Sequence, residues 1–208
     1  ADFIVGADWG GLNDGGYARV FVSSLNLPNG DLVIGDQITH TVNLTNGQTI
    51  EAGHLYMARQ ATGDATLNID GAGTLVRTTD DALLGMADAT TPGGTAALNL
   101  TNRGALEVGG EYVGDRFDPD NGPVLANPVN DATLYAGPDA TIDLTGVNRN
   151  PGGRSYIYTG NLDLNGSQVT LGEYANLLVG TTVALAPAFG NNTPPADQAQ
   201  FFIGDDEG

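Results

Sequence analysis

A short apolar phrase closing on a small residue recurs along this chain as FIVG, LVIG, LYMA, ALLG, EYVG, LYAG, IYTG, LLVG and FFIG. It ends at Gly6, Gly35, Ala58, Gly85, Gly114, Gly137, Gly160, Gly180 and Gly204. The steps between these residues are 29, 23, 27, 29, 23, 23, 20 and 24, a mean of about 25, which is the length of one solenoid coil. A unit this short cannot bury its apolar residues alone. Successive units must therefore stack to share a core.

A second phrase lies between the first: TVNLT, TLNID, ALNLT, TIDLT and NLDLN, each an apolar, Asn or Asp, apolar triplet. Alternation at the strand period turns Leu44, Leu67, Ile69, Leu98, Leu100, Ile142, Leu144, Leu162 and Leu164 inward. It turns Asn43, Asn68, Asn99, Asp143 and Asp163 outward. Corners follow at TNG, DGAG, TNRG and NGS, where Gly or Asn supplies the positive φ of a sharp turn. A third strand then reads TIEAG, TLVRT, ALEVG or QVTLG. The expected fold is all-β, a parallel β-solenoid (β-helix) of about eight irregular coils. It forms a single domain over residues 1–208, with inserted loops near 115–133 and 186–200. A β-sandwich would also alternate, but it does not require an ordered trio of phrases.

Composition agrees with many short strands: 31 Gly and only 15% charged residues. The 25 acids face 7 Arg and no Lys, a formal charge of -18 that disfavours nucleic acid and anionic membrane surfaces. Without Cys there is no disulfide framework and no thiolate metal site. The apolar run ANLLVGTTVALAPAFG is interrupted by Gly, Thr and Pro, so membrane insertion is not expected.

The phrase order in ATLNIDGAGTLVRTTDDALLG and AALNLTNRGALEVGGEYVG resembles the Gly-rich repeats of bacterial autotransporter passenger domains and of secreted surface proteins with autotransporter-associated repeats. The likeness spans most of residues 1–114 and returns more loosely at 137–180. It implies a right-handed β-solenoid at the cell surface or beyond, serving as a stalk, adhesin or matrix element. DRFDPDNGPVLANPVNDA and APAFGNNTPPADQAQ depart from the pattern.

In DRFDPDNG, Asp115, Asp118, Asp120 and Asn121 offer four hard oxygen ligands for calcium, although the spacing is not that of a helix-loop-helix site. The same stretch also reads as a solvated turn stiffened by Pro119 and Gly122. Asp80 with Asp81, and Asp205 with Asp206, read as exposed corners. No enzyme is expected. A lyase needs cations beside its base, and the Arg residues are scattered from Arg19 to Arg154. His40, His54 and Ser155 read as ordinary polar surface. Sequons at Asn43, Asn99, Asn165 and Asn191 are glycan acceptors only in a source that makes them.

The opening DFIVGADWG and the closing QFFIGDDEG are nearly the same phrase, and neither carries a visible cap. Phe3, Ile4 and Val5 at one end and Phe201, Phe202 and Ile203 at the other are thus the expected self-assembly residues. The expected function is a secreted structural protein forming an extracellular filament, matrix or surface layer by head-to-tail stacking. The alternative is a carbohydrate-binding or polysaccharide-cleaving β-helix with an extracellular polysaccharide as partner. Its groove would be lined by Tyr112, Tyr135, Tyr156 and Tyr158.

Overall fold

The computed structural model describes residues 3–5, 23–27, 29–110, 132–147, 155–179 and 200–203. All regular structure within them is β-strand, and no helix there is long and apolar enough to cross a membrane. Two strands come first, β1 (Phe3–Val5) and β2 (Ser24–Asn26). Three-strand coils follow: β3 (Leu32–Ile34), β4 (Thr39–Thr45) and β5 (Thr49–Ala52), then β6 (Leu55–Met57), β7 (Asp64–Asp70) and β8 (Leu75–Thr78). The next is β9 (Ala82–Leu84), β10 (Thr95–Thr101) and β11 (Ala105–Val108). After it come β12 (Thr133–Ala136), β13 (Ala140–Thr145) and β14 (Ser155–Thr159), then β15 (Asn161–Leu164), β16 (Gln168–Leu171) and β17 (Ala175–Val179). A last strand is β18 (Gln200–Ile203).

These strands assemble into three parallel sheets, the strand pattern of a β-solenoid. Sheet 1 runs β1-β3-β6-β9-β12-β15, sheet 2 runs β4-β7-β10-β13-β16, and sheet 3 runs β2-β5-β8-β11-β14-β17-β18. Pairing in register stacks like on like. On sheet 2 the inward columns are Val42, Leu67, Leu98, Ile142, Val169 and Leu44, Ile69, Leu100, Leu144, Leu171. On sheet 3 the column is Leu25, Ile50, Val76, Leu106, Ile157 and Leu177. Most of these residues belong to one continuous apolar core. Each fully buried Leu or Ile contributes roughly 1.5–3 kcal/mol.

The corners follow the expected chemistry. Asn46 (φ 58), Gly47 (φ 78) and Asn102 (φ 49) take the left-handed region where the chain turns from sheet 2 to sheet 3. Hydroxyls peg that corner between coils. Thr74, fully buried, accepts from Gly47 N–H at 3.0 Å and donates to the Asp70 carbonyl at 2.8 Å. Two coils on, Ser155 does the same work, accepting from Arg103 N–H at 3.1 Å and donating to the Thr145 carbonyl at 2.7 Å. Ser155 is thus not surface polar but a buried corner residue. At the corner from sheet 1 to sheet 2, backbones touch: a Cβ on Gly63 would fall on the Gly35 carbonyl oxygen, and one on Gly94 on that of Gly63.

The last third departs from the phasing that the phrases imply. IYTG, LLVG and FFIG fall in β14, β17 and β18 and pair within sheet 3, whereas FIVG and LVIG fall in sheet 1. NLDL, grouped with the second phrase, is β15 and continues sheet 1; QVTL, grouped with the third, is β16 and continues sheet 2. The cause is that two apolar residues before Gly suit any strand running into a corner. Alternation fixes the face of a strand but not the sheet to which it belongs. EYVG lies outside the described residues. Partners are 23 to 31 residues apart in most coils but 52 apart where Arg103 meets Ser155, so extra chain enters between β11 and β12.

Inward-pointing His40 heads the column His40, Ala65, Ala96, Ala140 and is 6% exposed, not a surface residue. Burial lowers its pKa from the ordinary 6.5, because the charged ring loses its hydration. The unfolded chain therefore takes up a proton before the folded one does. The contribution of His40 to stability is at its full value above pH 6.5 and declines as pH falls through the window beneath it. Denaturant midpoints measured at about pH 7.5 and about pH 5.5 should differ more for the native chain than for His40→Leu. Gly94→Ala should lower stability by about 1–3 kcal/mol in a circular-dichroism melt, because the new methyl has no space between coils.

Candidate functional site

Outward side chains of a solenoid form columns too, and these are where chemistry could sit. On sheet 3 the column is Asn26, Glu51, Arg77, Glu107, Tyr158. Arg77 Nε donates to Glu107 Oε2 at 2.8 Å and Nη1 donates to Glu51 Oε1 at 3.1 Å. Tyr156 in the neighbouring column donates its hydroxyl to Glu107 Oε1 at 2.6 Å. Both oxygens of Glu107 are thereby engaged. The Glu107 side chain is 0% exposed, Arg77 17% and Glu51 47%, so the ladder runs from solvent into a closed region. Sequence reasoning missed it, since Glu51, Arg77 and Glu107 are 26 and 30 residues apart. The recurring third phrase, with a charge at the same place in TIEA, LVRT and ALEV, is the signal that could have found it.

On sheet 1 the outward column is Ile4, Val33, Tyr56, Leu83, Tyr135, Asp163. Tyr56 stacks with His54 at 5.6 Å between ring centroids, and the Arg59 guanidinium lies 5.4 Å from its centre. Asp31 Oδ1 accepts from the His54 backbone N–H and meets His54 Nδ1, each at 3.0 Å. Asp36, nearly buried, holds Arg59 bidentately at 2.9 and 3.2 Å and accepts from Gln60 Nε2 at 3.2 Å. This cluster engages its own polar groups. His54 is thus part of an ion-pair and aromatic network, which its isolation in sequence gave no hint of.

On sheet 2 the outward columns are polar throughout apart from Ala97. Asn43, Asn68, Asn99, Asp143 and Thr170 stack in register. Asn68 Nδ2 donates to Asn43 Oδ1 at 2.6 Å, and Asn99 Nδ2 to Asn68 Oδ1 at 2.7 Å. Thr39 donates to Asp64 at 3.2 Å and Thr101 to Asp70 at 2.6 Å. The outward placing of Asn43, Asn68, Asn99 and Asp143 is as the alternation requires.

The sequence-derived candidates are scattered. Asp115, Asp118, Asp120 and Asn121 lie outside the described residues, as do Tyr112, Asp205 and Asp206. Among the described residues, no three His, Asp or Glu side chains are grouped to hold a cation. Asp80 is exposed at its corner, while Asp81 accepts from the Thr133 N–H at 2.7 Å and so fastens the start of β12. Tyr156 and Tyr158 are buried, so neither lines an open groove; Tyr135 is half-buried on sheet 1. Phe3, Ile4 and Val5 sit at the edge of sheet 1, and Phe201, Phe202 and Ile203 at the edge of sheet 3. Compared with known proteins, the chain matches no family model, no curated protein and no solved structure.

Removing Arg77 would leave Glu107 as an uncompensated buried carboxylate. Arg77→Met should therefore cost about 3–5 kcal/mol of stability, and adding Glu107→Leu should restore a large part of it. Urea denaturation of the two variants checks both statements.

Proposed function

We propose that this protein is an extracellular structural element, a β-solenoid that joins end to end into a filament, matrix or surface layer. The observation carrying this reading is that, among the described residues, β15 and β16 are edge strands with apolar side chains behind them. No described strand pairs with their far edges. The inward residues Leu162, Val169 and Leu171 are only half-buried there, and Leu164, expected inside, is 39% exposed. At the opposite edge of sheet 2, Val42 and Leu44 are fully buried. An open strand edge with apolar side chains behind it is a template for parallel pairing with another chain.

In a head-to-tail stack each sheet continues into its own counterpart. Sheet 3 then joins β18, with Phe201, Phe202 and Ile203, to β2 of the next copy. Sheet 1 joins β15 to β1, with Phe3, Ile4 and Val5. The two similar terminal phrases therefore do not meet each other, because they lie in different sheets. Calcium held by Asp115, Asp118, Asp120 and Asn121 would relieve part of the -18 charge that opposes such packing. The secreted setting is supported by the resemblance to autotransporter passenger repeats, which rests on phrase order.

Light scattering over a wide concentration range tests the reading. The native chain should rise in mass with concentration and give rods in electron micrographs. Leu164→Asp, which would bury a lone carboxylate at the junction, should stay monomeric with an unchanged β signal. A native chain that is monomeric throughout would overturn the proposal.

A further inference from the structure

The three outer faces of the solenoid are unequal. On sheets 1 and 3 several outward residues are shut off from water: Val33 is 1% exposed, Leu83 4%, Tyr156 2% and Tyr158 0%. Sheet 2 has the longest strands, and its outer face is open, with Thr39, Asn43, Thr95, Thr101, Asp143 and Thr145 exposed. The Asn column is tied to itself, as are Thr39 and Thr101 to Asp64 and Asp70. In the column beside it, Thr41, Thr66 and Thr141 point out and make no side-chain bond to any described residue. Three unspent hydroxyls thus stand along the axis, with Ala97 and Gln168 at the other two coils of the column.

We propose that this face binds a neutral linear polysaccharide lying along the solenoid axis. The first argument is repeat distance: strands are spaced by roughly 4.8 Å, and an extended sugar chain advances by a similar length per ring, so successive rings meet chemically equivalent groups. The second is hydrogen-bond chemistry. Thr hydroxyls and Asn amides both donate and accept, and Asp64, Asp70 and Asp143 accept, which together suit a ligand made of hydroxyls. The third is charge. The face carries those three carboxylates and no Arg or His, on a chain of charge -18, so a polyanion is repelled and a neutral chain is not. With no aromatic ring on the face there is no stacking platform. Affinity then comes from many weak contacts in a row, realised only by a long ligand.

Affinity electrophoresis in native gels containing hydroxyethyl cellulose tests this, with alginate gels as the anionic arm. The native chain should be retarded by hydroxyethyl cellulose and not by alginate. The double variant Thr41→Val, Thr66→Val keeps side-chain shape while removing two hydroxyls, and its retardation should be about tenfold weaker. Asn26→Ala, on sheet 3, should behave as the native chain does. Absence of retardation, equal retardation by alginate, or retardation that survives in the double variant would each overturn the proposal. If the double variant loses its β signal, Thr141→Val alone is read by the same criteria. Filament formation has its own readout in light scattering, so either conclusion can fail without the other.

Discussion

Backbone pairing in register between successive coils is the interaction on which everything else in this molecule depends. Each described coil presents its N–H and C=O groups along the stack, and parallel pairing satisfies them while placing like side chains over like. The Leu and Ile columns, the Asn ladder and the Glu51–Arg77–Glu107 ladder are three results of that one constraint. What a column contributes depends on which way it points and on whether water reaches it. Inside, identical chemistry makes a continuous core; outside, amides can bond to their own kind, but like charges cannot be neighbours at strand spacing. The intervening Arg77 is what allows Glu51 and Glu107 to share a column.

Close coil spacing makes the corners as demanding as the strands. Where Gly63 and Gly94 sit, the preceding coil's carbonyl oxygen occupies the place a side chain would take. Elsewhere a side chain is needed at the corner, as with Thr74 and Ser155, whose hydroxyls supply both a donor and an acceptor to backbone groups at the turn. The Gly-rich composition therefore reflects steric exclusion at one corner and backbone reversal at another.

The architecture was legible in the sequence because it is written in local periodicity. Alternation in THTVNLT, DATLNID and TAALNLT set the inner and outer faces, and Asn-Gly and Asp-Gly set the corners. Sheet membership in the last third was not legible. SYIYT and ANLLV are apolar enough to fit any side of the prism, and the 52-residue step before β14 removed the count that would have phased them. The outer ladders were hidden for a related reason. Arg77 is unremarkable among its sequence neighbours and meaningful only beside Glu51 and Glu107. Leu164 looked like core because its pattern is a core pattern, and it is exposed because, among the described residues, β15 is an edge strand.

The separation between partner strands also governs how the molecule can fold in time. With most pairings closing loops of 23 to 31 residues, a newly formed coil needs only its immediate predecessor, and each addition meets a similar loop-closure entropy. Growth can then proceed as a zipper from any adjacent pair, in step with a chain delivered gradually from one end. The 52-residue step between β11 and β14 interrupts that regular progress. There the zipper must wait for a longer loop to close, which makes the junction a natural pause between two folding segments.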